Sequence, residues 1–277
     1  VDDEGVDAEM SEPVSLQSGE FGVASNKSKA NGFATILLIA LAILVLFGVR
    51  IFLFELFNIP SGSLVPTLLD GDYVIVSKYP YGFSHFLLPA ILDIAPGAMP
   101  GRLFAAEPRR GDVVVFKLPR DGKTDYIKRI VGLPGDKVQM IHGRLYINGT
   151  IVERTQLPPY STLGHFRRPA DVAHYEETLP GGVKHEIIEM DGDEGYWDNT
   201  PVYEVPPGNY FMMGDNRDNS TDSRVAAAQQ GVGFVPFDNL LGRAEMVIFS
   251  LDDGEAARAG SFLPWSVRWN RSFHPVK

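Results

Sequence analysis

The chain has 277 residues, 44% of them hydrophobic and 22% charged, enough apolar material for a folded core in one large domain or two modest ones. A formal net charge of −10, from 35 acidic against 25 basic residues, argues against an exposed nucleic-acid surface, which needs clustered Lys and Arg. Without cysteine there is no disulfide framework, thiolate nucleophile or Cys-based zinc site; the six histidines (His85, His142, His165, His174, His185, His274) show no metal-ligand spacing and read as surface or loop residues.

Residues 1–32 hold Asp2, Asp3, Glu4, Asp7, Glu9, Glu12 and Glu20 against Lys27 and Lys29, with almost no large apolar groups. Such a composition cannot offset the entropy of ordering, so a disordered acidic tail is expected there. From Ala30 to Val49 no residue is charged, and a helix over that run would be about 30 Å long, one hydrocarbon core. A single transmembrane helix is expected, assigned to residues 33–54. Lys27 and Lys29 precede the span while Arg50 and Glu55 follow it, which favours a cytoplasmic N-terminus and an outside C-terminal body. A cleaved signal peptide is the competing reading; the run is long for one, and no small-x-small site follows before Ile59.

Beyond residue 57 the apolar pattern turns alternating and β-branched, in DYVIVSKY (72–79), GDVVVFKLP (111–119), YIKRIVGL (126–133) and KVQMIHGRLYINGTIVER (137–154). GNYFMMGD (208–215) and RAEMVIFSLD (243–252) add two more runs, and Gly-Asp and Asn-Gly pairs punctuate the series as hairpin turns do. The fold class expected is mainly β: one N-terminal helix, then an all-β body over 55–277. Residues 84–109, with Pro89, Pro96, Pro100 and Pro108, read as an irregular excursion, and 155–205 as an inserted β-ribbon, the whole inserted lobe covering about 142–205.

Three segments carry chemistry. IPSGSLVPT (59–67) places Ser61 and Ser63 just past the apolar run, but a serine hydroxyl attacks a carbonyl only with a base in reach. DYIKRIVGLPGD (125–136) supplies Lys128, a base only if neutral, which burial can bring about. On a strand Tyr126, Lys128 and Ile130 share one face, although periodicity by itself favours Lys128 facing solvent, with Arg129 as the inward residue instead. GDNRDNSTDSR (214–224) brings Ser220, Asp222 and Arg224 close in sequence, either as a solvated turn or as a support for an amine.

Taken in order, IPSGSLVPTLLDGDYVIVSKYPYG, RRGDVVVFKLP, DYIKRIVGLPGDKV, GDNRDNSTDSR and GFVPFDNLLGRA resemble the boxes of bacterial type I signal peptidase, the Ser/Lys leader peptidase of the inner membrane. The resemblance runs from about residue 52 to 250. It implies a signal-peptidase-type catalytic β-domain and an endopeptidase that removes signal peptides from exported preproteins after small-x-small, Ala-x-Ala-like sites. It makes Ser63 the nucleophile and neutral Lys128 the general base. Ser61 and the Ser63 N–H become the oxyanion hole, Ser220 the residue orienting the lysine, and Asp222 with Arg224 the supporting ion pair. Shallow pocket walls would include Phe57, Ile59, Leu64, Leu68, Val74, Val115, Tyr126 and Ile127. No cofactor or metal is implied. The implied partners are preproteins, the phospholipid bilayer and, by proximity, the translocation machinery, at a bacterial cytoplasmic membrane with the catalytic domain on its outer, periplasmic side.

The chain departs from the family pattern in places. Leu64 stands where the family usually has Met, there is one span where some members have two, no cysteine where some carry a disulfide, and a longer link over 225–236. FLPWSVRWNRSF (262–273) mixes Trp265 and Trp269 with Arg268 and Arg271, a composition suited either to a bilayer interface or to packing on the body. Two other readings stay open: a narrow or self-cleaving relative of repressor-type Ser/Lys proteases, and an anchored, non-enzymatic β-domain that binds partners.

Overall fold

The apolar run contains no Pro and only Gly32 and Gly48, so nothing stops helical propagation once it begins. In the computed structural model, which describes residues 24–84, 86, 101–163, 169–251 and 267–277, helix α1 covers Ala24–Phe52. It starts before residue 33, taking in part of the stretch expected to be disordered; residues 1–23 lie outside the described ones. Its segment Gly32–Arg50 is long and apolar enough to cross a membrane, and its large side chains are exposed.

Among the described residues every other regular element apart from short 3-10 turns is a strand, as expected of a mainly β body. In chain order these begin with β1 (Phe54–Asn58), β2 (Asp72–Ser77), β3 (Val113–Lys117) and β4 (Asp125–Gly132). Then come β5 (Lys137–Ile141), β6 (Arg144–Ile147), β7 (Thr150–Ile151), β8 (Glu153–Gln156), β9 (Tyr160–Leu163), β10 (Pro169–Leu179), β11 (Val183–Glu189) and β12 (Tyr203–Glu204). The last are β13 (Asn209–Met213), β14 (Val235–Pro236), β15 (Leu240–Ser250) and β16 (His274–Pro275).

The main sheet has eight strands in the order β1-β2-β15-β3-β4-β13-β14, with β16 added to β15. Its runs are β-branched on both faces because both are covered. Val113, Val115 and Ile127 pack on one side with Ile59, Leu64, Leu68 and Val74, while Val114, Phe116 and Ile130 pack on the other with Tyr210 and Met212. β1 is a strand where the sequence suggested the end of the anchor; FELFN pairs with β2 from Phe54↔Ser77 to Asn58↔Tyr73.

The inserted lobe forms two small sheets, one of β12-β5-β6-β7 and one of β11-β10-β8 with β9 on β10. Pairing of Val138 with Tyr203 ties its two ends together, so topologically it opens at β5, slightly before residue 142. The lobe also reaches the segment that carries Ser61 and Ser63: Val65 shares a buried cluster with Val172 and Ile188. Of the C-terminal aromatics, Trp265 falls outside the described residues and Trp269 is exposed, whereas Arg271 is forked onto buried Asp72 at 2.6 and 3.1 Å and Arg268 donates to Ser250 Oγ at 2.8 Å.

Candidate active site

Residues 59–71 form a loop between β1 and β2 whose ends are pinned by backbone bonds, Ile59 N–H to Asp72 O and Gly71 N–H to Ile59 O, both 2.9 Å. Within it Gly62–Leu64 make one 3-10 turn, held down by Leu64, which is fully buried in the core. Ser63 therefore sits on a turn with a fixed floor, itself only 7% exposed. A second clamp comes from the 214–224 loop. The Asn216 N–H donates to Ser63 O at 3.1 Å and its Nδ2 donates to Gly62 O at 3.2 Å.

Lys128 lies in β4, between β3 (Val114↔Lys128) and β13. It is 4% exposed, and its Nζ stands 2.6 Å from Ser63 Oγ and donates to Ile127 O at 2.9 Å. The Tyr126 ring centroid is 5.6 Å from the amine, on the shared strand face. Next along the strand, Arg129 is fully buried too, so the choice between Lys128 and Arg129 as the inward residue was a false one: a sheet covered on both faces buries both. The two cations differ in their partners. Arg129 is forked onto Asp215 at 2.8 and 2.7 Å and donates to Gly111 O at 2.8 Å, whereas Lys128 makes no ion pair among the described residues. Burial consequently brings the Lys128 pKa down to about 8, against the opposing pull of Asp222 and Asp215 and with a smaller push from Arg224.

The polar loop is a buried scaffold rather than a solvated turn. Arg224 donates to both oxygens of Asp222 at 2.9 Å, and Asp222 accepts from the Gly214 N–H at 3.1 Å. Burial alone would raise the Asp222 carboxyl, but Arg224 and these donors hold it below the usual carboxylate range. Ser220 is buried and lines the same cleft as Ser63 and Lys128. Its hydroxyl lies near enough to Asp222 to help lower that carboxyl, yet it makes no well-formed hydrogen bond, to Lys128 or to any other described group. Gly214 is required by close approach: a Cβ there would lie 2.3 Å from Ser220 Oγ and 2.5 Å from Ser63 O.

Ser61 is exposed at the mouth, with its Oγ 3.4 Å from Ser63 Oγ. The cleft beside the two serines has a volume of about 490 Å³. Of the residues expected to wall it, Tyr126 and Ile127 line it. Ile59, Leu64, Leu68, Val74 and Val115 are in the core cluster that reaches the cleft through Ile127, and Phe57 packs against that cluster.

Several contributors had no role in the sequence reading. Asn216 lay inside the polar segment, but nothing distinguished it from a turn residue. Trp197, from the inserted lobe, lines the cleft wall together with Asp218 and Asn219, and no periodicity pointed to it. His185, expected at the surface, is buried at the heart of the lobe contact, 3.5 Å from Glu177 and 3.9 Å from Asp215. It occupies an inward position of β11, and burial with Arg129 nearby lowers it to about 4, so it stays neutral at physiological pH and far from any base role.

The pattern of the chain matches a family model described as signal peptidase, peptidase S26, over residues 32–249. The signal peptidase I of Rickettsia conorii (strain ATCC VR-613 / Malish 7) is 40% identical over 261 residues, covering 89% of this chain and 92% of that protein. The signal peptidase I of Rickettsia canadensis (strain McKiel) is 40% identical over 267 residues, covering 90% and 94%. A solved signal peptidase I from Enterococcus faecalis V583 is 27% identical and covers 50% of this chain and 97% of that one, with a TM-score of 0.29.

Proposed function

The chain belongs to the signal peptidase I family of peptidase S26, enzymes that cleave signal peptides, and from that premise we propose that it works as a membrane-bound Ser/Lys endopeptidase. The observation that carries the reading is the 2.6 Å approach of Ser63 Oγ to a buried lysine amine that has no ion pair among the described residues and is brought down to about 8. Ser63 Oγ attacks the scissile carbonyl while its proton passes to Lys128 Nζ. The oxyanion is met by the Ser63 N–H and the Ser61 hydroxyl, donors of the kind that each contribute a few kcal/mol when preorganised. Lys128 then returns the proton to the leaving amine of the mature protein, and a water, deprotonated by the same lysine, releases the signal peptide from Ser63.

The substrate lies extended along the cleft, where Tyr126 and Ile127 leave room for small residues before the cleavage point and exclude large ones by overlap. Ser220 completes the lysine's environment once substrate closes the cleft, and Asp222 with Arg224 holds that loop in place. α1 anchors the enzyme in the cytoplasmic membrane with residues 1–32 on the cytoplasmic side and residues 55–277 outside, near the bilayer and the translocation machinery that deliver preproteins. The test is cleavage of a radiolabelled preprotein in detergent: Ser63→Ala and Lys128→Ala should each abolish it with the fold retained, and Ser61→Ala should slow it. Near-normal turnover in either of the first two refutes the dyad.

A further inference from the structure

Glu189 ends β11, Asp198 lies in the loop that follows, and Asp218 belongs to the loop that carries Ser220 and Asp222. One carboxylate oxygen from each lies within 4.8 Å of the other two. Glu189 is 1% exposed and Asp198 is fully buried, and one oxygen of each, Glu189 Oε2 and Asp198 Oδ1, has no hydrogen-bond partner. A buried carboxylate oxygen left in that condition is expensive, and native folds supply it with a partner.

The opposite oxygens are occupied. Arg154 Nη1 donates to Glu189 Oε1 at 3.3 Å, Gly195 N–H to Asp198 Oδ2 at 2.6 Å, and the Met190 and Asp191 N–H groups to Asp218 Oδ2 at 2.6 and 2.8 Å. Positive charge is short. Arg154 is shared with Asp193 at 2.6 Å, Arg217 is forked onto Glu177, and among the described residues neither Asp198 nor Asp218 has a Lys or Arg ion pair. The carboxylates close over a bare glycine: a Cβ on Gly195 would lie 2.3 Å from Asp218 Oδ1 and 3.1 Å from Asp198 Oδ2.

We propose that Glu189, Asp198 and Asp218 form a binding site for a hard divalent cation of the calcium class. The donors are all oxygen, with no imidazole or thiolate, which excludes softer metals. Among hard divalent ions, calcium accepts the flexible, irregular oxygen shell that three protein carboxylates impose, whereas magnesium demands a near-ideal octahedron and keeps several of its waters. Asp218 and Trp197, the neighbour of Asp198, both line the catalytic cleft, so the cation joins the lobe wall of that cleft to the loop supporting the lysine. The rival occupant is a proton: without a cation, burial and then the nearby Asp198 and Asp218 charges push the Glu189 carboxyl up to about 8, despite Arg217.

The test uses the full chain in detergent and terbium(III) as probe, with Trp197 as the adjacent sensitiser. Expected is saturable sensitised emission, displaced by calcium more effectively than by magnesium, with affinity lowered on the order of tenfold or more in Glu189→Gln and Asp198→Asn. Calcium chloride also raises Tm beyond sodium chloride at equal ionic strength, and Trp197→Phe loses the emission while keeping that Tm rise. Emission undiminished in both carboxylate variants, a Tm that responds equally to sodium, or no saturable binding at all each overturns the site; in the last case a shared proton fills it.

Discussion

Gly214 is the position where one methyl group should do most harm. Its φ lies outside the left-handed range that L side chains avoid, so the effect of Gly214→Ala is dominated by steric contact. The added Cβ would meet Ser220 Oγ at 2.3 Å, Ser220 Cβ at 2.5 Å and Ser63 O at 2.5 Å, where ordinary contact begins at 3.4 Å. Relief of about 1 Å is needed, and two of the three obstacles are not flexible chain ends. The Ser63 carbonyl is also the acceptor for Asn216, so displacement passes directly into the turn that carries Ser63. A misplacement of about 1 Å costs roughly a hundredfold in rate, about 2.7 kcal/mol at the barrier. The assay is kcat/KM on a preprotein peptide, measured beside Tm to separate misplacement from unfolding. A variant that keeps kcat/KM within about threefold of the parent would refute the claim that this contact positions Ser63.

Other outcomes follow from the buried amine. Because Lys128 must be neutral to act and titrates at about 8, kcat/KM on the acid side should fall about tenfold per pH unit below that value; a profile flat down to pH 6 would exclude it as the base. The same depression destabilises the fold: between about 8 and the ordinary lysine value of 10.5 the unfolded chain binds the extra proton, so stability rises with pH over that window and the penalty is complete below it. Lys128→Met should therefore raise stability at pH 7 by roughly 3 kcal/mol, less about 1 kcal/mol for each of the hydrogen bonds lost to Ser63 and Ile127, with the gain fading toward pH 10; urea unfolding at both pH values checks it, and a loss at pH 7 contradicts it. Ser220→Ala breaks no formed hydrogen bond, so Tm should move little while kcat falls; an unchanged kcat would confine Ser220 to packing.

The sequence carried the strands wherever β-branched residues ran between Gly and Asn turns, and it carried the anchor, because both depend on local pattern. β1 carries no signature of its own because FELFN directly follows an apolar helix and continues its composition. The burial of Lys128 could not be read from alternation, since β4 is covered on both faces and alternation vanishes there. Ser63 and Lys128 were recognisable through ordered boxes, but the clamp from Asn216 is made largely by backbone atoms, which leave no residue signature. Glu189, Asp198 and Asp218 are scattered along the chain and converge only because the lobe folds back onto the polar loop. That contact also accounts for the insertion, which at sequence level had no chemistry: Ile188 packs with Val65, two residues from Ser63, and exchanges backbone hydrogen bonds with Asp215 and Arg217.

The adjacent cations of β4 set a strict order. Successive strand residues leave on opposite faces, so Lys128 and Arg129 are sorted by parity, one to the hydroxyl of Ser63 and the other to the carboxylate of Asp215. Exchanging the two identities would change neither composition nor net charge. It would nonetheless place a guanidinium that cannot release its proton beside Ser63, and strand a lysine ammonium where a fork is needed to span Asp215, Gly111 and Thr67. A single-residue insertion or deletion in β4 would have the same consequence by shifting phase. The reactivity of this chain is thus written in an odd-or-even position as much as in a residue type, and a library that shuffles Lys and Arg here should recover only one of the two orders.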